Sequence, residues 1–187
     1  MKKYYCIFLI LIIFTAVPSL WAAQNTLFKG QIDVNGNISA KAGITTLESR
    51  PVFLAGGNWT ALINHSLIIG NSWHITPFPA VYSGGKRLLS YGGPVLGWAF
   101  FPEKLFHFSG SCLIGTGQSW TAKDTSSNTL FFALEPELLL EMNISAHFHI
   151  ALAGGYRFGF NSSSGKLGFA TPVSGPVGNL YIRFGDF

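Results

Sequence analysis

Between Ala133 and Asn143 the sequence reads ALEPELLLEMN, and its three glutamates, Glu135, Glu137 and Glu141, all fall on odd positions. Leu134, Leu138, Leu140 and Met142 fall on even ones. Side chains alternate between the two faces of a β-strand, so as a strand this segment has one acidic face and one greasy face. The same period returns in FHIALAGGYRFGF, where Phe148, Ile150, Leu152, Tyr156, Phe158 and Phe160 alternate with His149, Ala151, Ala153, Gly155, Arg157 and Gly159. Phe106, Phe108, Cys112 and Ile114 alternate with His107, Ser109, Ser111 and Leu113, and Leu180, Ile182 and Phe184 with Asn179, Tyr181 and Arg183.

Read for this period, the chain predicts eight strands, at about 37–49, 50–64, 66–80, 87–101, 106–122, 130–143, 148–160 and 175–187. Residues 24–36 read as a lead-in, with Asn35-Gly36 as a turn signal. Alternation is less clean in the first four strands, and Gly92-Gly93 reads as a bulge where the phase changes. Pro136, in mid-strand, predicts a bulge or a broken ladder bond. Phe187 is out of phase with Leu180, Ile182 and Phe184 unless the chain kinks at Gly185.

The first residues have a different character. Lys2 and Lys3 precede an apolar run from Ile7 to Val17, and PSLWAAQ follows with a helix breaker and small residues. That layout is a secretory signal peptide over 1–23, cleaved after Ala22 or Ala23. The alternative, an uncleaved anchor, asks for a run of roughly 20 residues. Of the twelve basic side chains, two leave with the signal, so ten stand against eight acidic ones. That small excess does not point to nucleic acid. Of two cysteines, Cys6 also leaves, and Cys112 has no partner within the chain, so no disulfide framework is expected.

The remainder of the 187-residue chain suits one domain, 37–187. Only 11% of its residues are charged, against roughly 25% in ordinary soluble domains, yet no second apolar segment is long enough for a membrane helix. In lipid, only helices and closed barrels satisfy every backbone polar group. The fold expected is therefore all-β, an eight-stranded antiparallel up-and-down transmembrane β-barrel in the bacterial outer membrane. The connections agree. NHS, FPEK and ISAH are short, whereas TPFPAVYSGGK, WTAKDTSSNT and NSSSGKLGFATPVSG are long, with ESRP the one short link at the long end. The rival is a soluble, lipocalin-like barrel binding an apolar ligand. It would need a solvated exterior of Lys, Glu, Asp and Thr, whereas the polar faces here are mostly Gly, Ala, Ser and Asn.

YGGPVLGWAFFPEKLFHFSGSCLIGTG, FFALEPELLLEMNISAHFHIALAGGYRF and SGPVGNLYIRFGDF, with LFKGQID and INHSLIIG, resemble a family of small, uncharacterised outer-membrane β-barrel proteins of diderm bacteria. The resemblance spans nearly the whole mature chain and is most specific around EPELLLEMN and GGYRF, with fewer acidic residues in the fourth strand than that family carries. It implies a barrel and an outer-membrane address, and assigns no activity or functional residue.

On an inward face, Glu135, Glu137 and Glu141 need countercharges, and Arg157, Arg183 and His149 can supply them. A turn centred near Ser145 sets Glu141 opposite His149 and Glu135 diagonal to Arg157. With His107 and Ser109 these residues form a structural lumen network, since lone buried charges are costly. A proton or ion path is the alternative. His107 and Ser109, two apart on one face, also raise the spacing of a nucleophile and its base, similar to the His-x-Ser of outer-membrane lipid A deacylases. Here the lipid-facing side carries Phe106 and Phe108 instead, and His107 lies beside the short FPEK turn. No catalytic residue is therefore assigned. His65, His74, His107, His147 and His149 are scattered, so no metal site and no cofactor is expected. NWT, NHS, NIS and NSS match a glycosylation acceptor by coincidence, and the glycine pairs read as barrel bends. Trp59, Trp73, Trp98 and Trp120, with Tyr82 and Tyr156, suit interfacial girdles. The functional expectation is a monomeric membrane protein with outer-membrane lipid around it and a structural or surface-interaction role through its long loops. A narrow pore for ions or small solutes is the alternative.

Overall fold

The computed structural model describes residues 32–82, 85–121, 124–163 and 166–186. The segment expected as a signal peptide, the expected lead-in up to residue 31 and Phe187 lie outside the described residues. From Asp33 onward the chain builds one compact unit. Its strands are β1 (Val34–Leu47), β2 (Arg50–Ile63), β3 (Leu67–Ile75), β4 (Ala80–Tyr82), β5 (Gly85–Phe100), β6 (Phe106–Thr121), β7 (Asp124–Ser145), β8 (Phe148–Ser163), β9 (Lys166–Phe169) and β10 (Gly175–Gly185). Eight of them are staves of a closed, wholly antiparallel barrel. Each pairs with the next in sequence, and β10 closes the ring by pairing with both β8 and β1. β4 and β9 are short additions that pair with β5 and β8. Closure leaves no stave with an unpaired edge, the condition lipid imposes on a sheet.

Short turns join the staves at one end, where Asp33 and Asp186 also lie. At the other end the connections expected as loops are built largely of strand. β6 and β7 run on to Thr121 and Asp124, the segment before β10 holds β9 and a 3-10 turn at Thr171–Val173, and β4 extends the hairpin ahead of β5. The β1–β2 link is a two-residue hairpin whose central residues, Glu48 and Ser49, both have positive φ. That is the turn twist that matches paired strands.

Along β7 the acidic face is buried and the apolar face exposed, and β6, β8 and β10 behave alike. Outside, Ile38, Phe53, Trp59, Trp98, Phe108, Leu138, Leu152 and Phe184 are all exposed. The apolar band thus faces outward, the reverse of a soluble ligand-binding barrel, and the lipocalin-like alternative has no support in the fold. Of the expected girdle residues, Trp59, Trp73, Trp98 and Tyr156 are exposed on this band and Trp120 is half-buried.

Three expectations need correction, and at Pro136 one of the two expected alternatives holds. β1 begins at Val34, and Asn35 and Gly36 pair with Leu62 and Ala61, so that dipeptide is strand and not turn. Gly92-Gly93 is not a bulge. β5 keeps one register against β3 throughout, and the inward phase of Leu89, Tyr91, Val95 and Ala99 never changes; only the ladder to β6 is interrupted, beside Pro94. At Pro136 the ladder to β8 is broken without a bulge, because Leu134–Phe158 and Glu137–Gly155 hold one register on either side. The lumen, finally, is not polar throughout. Its long-hairpin half is filled by an apolar cluster that includes Leu47, Leu54, Leu89, Leu113, Phe131 and Val173. Gly185, where a kink would bring Phe187 into phase, has a φ of 149°, a region where a side chain is rarely tolerated, and Phe187 itself lies outside the described residues.

Candidate functional site

The inward phase of β7 sets three carboxylates at successive depths below the apolar cluster, each buried. Glu135 is nearest to it. Its Oε2 accepts a hydrogen bond of 2.7 Å from Tyr91 Oη, and its Oε1 lies 3.8 Å from Nδ1 of His74. The rings of His74 and Tyr91 pack with centroids 4.5 Å apart and their planes tilted by 39°. Arg157 lies across from Glu135, directly and not diagonally, as the flanking register requires. Its guanidinium does not reach that carboxylate. Instead Cζ sits 4.9 Å over the Tyr91 ring, a cation–π arrangement, while Nε donates to the Val173 carbonyl at 2.6 Å and Nη2 to the Thr46 carbonyl at 3.0 Å. Arg157 therefore pins the 3-10 turn and the end of β1 over the barrel mouth.

Glu137 comes next. Asn179 Nδ2 donates to its Oε1 at 2.5 Å and Tyr181 Oη to its Oε2 at 2.5 Å. Lys41 Nζ donates to Tyr181 Oη at 3.2 Å, so the lysine reaches the carboxylate through the phenol. A small apolar layer of Leu139, Ala151, Ala153 and the Tyr181 ring packs alongside. Below it, Glu141 accepts hydrogen bonds from Arg183 Nη1 at 2.6 Å and from Ser109 Oγ, and His107 Nε2 is 3.7 Å away. His149 does not face Glu141 in the ladder; that position belongs to Ala151, and His149 pairs with Asn143 and Arg183. The cause is a register shift between Asn143 and Ser145 at the β7–β8 turn, which no residue pattern announces. His149 still joins the group, lining the same small cavity as His107, Glu141 and Arg183.

Glu135, Glu137, Glu141, His107, Ser109, His149, Arg157 and Arg183 are all buried on the inner face, and Lys41, His74, Tyr91, Asn179 and Tyr181 lie there with them. Parity placed Asn179 and Tyr181 on the inner face. For Lys41 and His74 a signal also existed, since they share parity with Ser39 and Ser72 and oppose Ile38 and Trp73. Tyr91 had none.

Among the buried groups, three carboxylates are matched by three cations, Lys41, Arg157 and Arg183. The space left is slight. Two internal cavities, one beside Lys41 and Glu137 and one beside Glu141 and His107, measure about 10 Å³ each. That is room for about one water apiece. Ser109 and His107 both turn to Glu141, so the carboxylate sits between hydroxyl and imidazole. In a hydrolytic triad the imidazole stands between the other two. Both side chains are also sealed from the surface, so no nucleophile is assembled here. Among the described residues, no three potential metal ligands converge.

No family model and no curated protein sequence matches the chain. Solved structures do. The N-terminal β-barrel domain of Pseudomonas aeruginosa OprF superimposes with a TM-score of 0.58 at 10% identity, covering 83% of this chain and 99% of that one. Neisserial surface protein A gives 0.56 at 11% identity, with 84% and 99% covered. Ail, the attachment invasion locus protein of Yersinia pestis, solved in complex with the heparin analogue sucrose octasulfate, gives 0.53 at 14%, again with 84% and 99% covered. The fold is that of the eight-stranded bacterial outer-membrane barrels.

Proposed function

We propose that the chain is an outer-membrane protein, exported by its first 23 residues, whose sealed barrel presents the long-hairpin end to the outside as a surface for interaction. The observation that carries this reading is the pairing of an apolar exterior with a lumen closed twice, by an apolar cluster and by a charge-matched network. A sealed lumen disfavours the pore, and eight strands enclose only enough room for side chains. The protein acts as a monomer in this reading, because the ring is complete within one chain.

Charge is also sorted between the ends. Toward the long hairpins the described residues include Arg50, Lys86 and Arg87 against Glu48, which pairs with Arg87; toward the short turns they include Asp33, Glu103 and Asp186 against Lys104. A basic outer rim suits an anionic partner at the cell surface, through the attraction that oriented charge provides. The sulfated ligand of Ail accords with that chemistry.

Fractionation of cells expressing the chain, with gel migration before and after heating, tests the address: we expect the outer-membrane fraction and a heat-dependent shift. A soluble periplasmic protein without a shift overturns the reading. Planar-bilayer recording tests the seal, and stable single-channel steps in the purified protein restore the pore. Retention on immobilised heparin, reduced at least tenfold in Arg50→Glu/Lys86→Glu, tests the rim.

A further inference from the structure

One row of cross-strand neighbours on the barrel's outer face runs Trp73, Gly92, Thr116, Phe132, Phe160, each paired with the next across β3, β5, β6, β7 and β8. The row above it, toward the long hairpins, runs Ile75, Ser90, Gln118, Leu130. The first row is tall at its ends and low in the middle, and the second dips at Ser90. Gly92 has no side chain, and Ser90 and Thr116 have short ones, so a groove of about 690 Å³ opens between a wall headed by Trp73 and a wall of Leu130, Phe132 and Phe160.

The floor is the unusual part. Thr116 and Gln118 are exposed and Ser90 is half-buried on a face given mostly to Ile, Leu, Phe and Trp, with Asn71 as a further outward amide one row below. None of the three side chains has a hydrogen-bond partner among the described residues. Against hydrocarbon, an unpaired amide or hydroxyl is costly, so this lane calls for an occupant with polar groups of its own. A primary amide is satisfied on both sides by a partner that both donates and accepts. The depth is specific too. The next row up is Leu88 with Trp120, and indole rings favour the boundary between hydrocarbon and headgroups. Lys86 lies on the same phase of β5, four residues above Ser90 or roughly 13 Å along the strand.

From this arrangement we propose that the groove binds an N-acylated anionic lipid of the surrounding leaflet. Its amide linkage meets Gln118 and Ser90, one acyl chain lies along Thr116 and Gly92 between the aromatic walls, and its anionic headgroup meets Lys86. The proposal rests on the outer-membrane reading above and gives that barrel a defined lipid partner.

Native mass spectrometry of the refolded full barrel in detergent tests it, with lipid A as the amide-linked, phosphorylated probe and phosphatidylcholine as the ester-linked, zwitterionic one. We expect wild-type protein to retain lipid A at concentrations where phosphatidylcholine dissociates. Thr116→Trp, which fills the lane, and Gln118→Leu, which leaves it open but dry, each reduce lipid A retention at least tenfold. Lys86→Glu weakens lipid A and leaves phosphatidylcholine unchanged. Equal retention of the two lipids, or wild-type retention in Gln118→Leu, overturns the site; should Thr116→Trp not fold, Gln118→Leu still decides. A barrel that reaches the outer membrane and shifts on heating yet holds no lipid A refutes the groove alone, whereas one that never reaches that membrane refutes the reading beneath it.

Discussion

Nη1 of Arg183 lies 2.6 Å from Oε2 of Glu141, and the two belong to β10 and β7, staves that are not neighbours. The pair spans a chord of the lumen over β8, as do Asn179 and Tyr181 to Glu137. Such bonds tie staves that the ladder cannot connect. Arg183→Ala strands a buried carboxylate, and we expect it to destabilise the barrel by about 3–5 kcal/mol. Guanidinium unfolding of the detergent-refolded protein measures the loss. Adding Glu141→Gln removes the stranded charge, so the double variant should lose less than the sum of the singles by about 1–3 kcal/mol. Strict additivity would show that the two residues do not act as a pair.

How far this network was legible depends on what lies on each side of a strand. In β7 the inner face meets charge and the outer face lipid, so parity alone told Glu137 from Leu138. In β2, Val52 and Leu54 point into the apolar cluster while Phe53 points outward, and an alternation between two greasy environments leaves no trace. The same applies to Leu89 and Val95 in β5, and the blurred pattern there came from a lumen that is itself apolar at one end. Register was legible only where strands run without insertion. The shift near Ser145 moved His149 off Glu141, and the continuation of β6 and β7 into a long hairpin had no apolar pattern to reveal it.

Arg157 gives a second prediction. It holds the Val173 and Thr46 carbonyls with two different nitrogens, which a single ammonium cannot reproduce. Arg157→Ala and Arg157→Lys should both lower the heating temperature at which the folded band disappears, each freed carbonyl costing about 1–3 kcal/mol. Glu135→Gln keeps an oxygen to accept from Tyr91, and its loss should be smaller, on the order of 1 kcal/mol. If Arg157→Lys behaves as wild type, the guanidinium fork is not what pins the mouth.

The apolar cluster and the charged network seal the lumen in series, and that arrangement separates stability from conductance. Leu89 is fully buried in the cluster. Leu89→Ala should cost about 2–5 kcal/mol by leaving a cavity. Bilayer recordings of the same variant should still show no steady channel, because Glu137, Lys41 and Tyr181 remain bridged below the vacancy. Stable conductance in Leu89→Ala would mean that the hydrophobic layer is the only barrier.

Gly154 and Gly155 are adjacent in β8 and should respond in opposite ways to the same substitution. A Cβ on Gly155 would stand 2.3 Å from the Pro136 carbonyl oxygen, backbone against backbone, where the ladder already lacks its bonds. β7 and β8 would have to separate there, so Gly155→Ala should destabilise by about 1–3 kcal/mol, the usual penalty for overpacking. A Cβ on Gly154 meets nothing within 4 Å and points to the outside. Removing the freedom of an unconstrained glycine from the unfolded chain favours the fold, so Gly154→Ala should be neutral or stabilising by about 0.4–1 kcal/mol. Parallel denaturation of the two variants reads the difference directly. Equal losses at both positions would mean that β8 yields wherever a methyl is added, and that the close approach at Pro136 does not set the spacing of these staves.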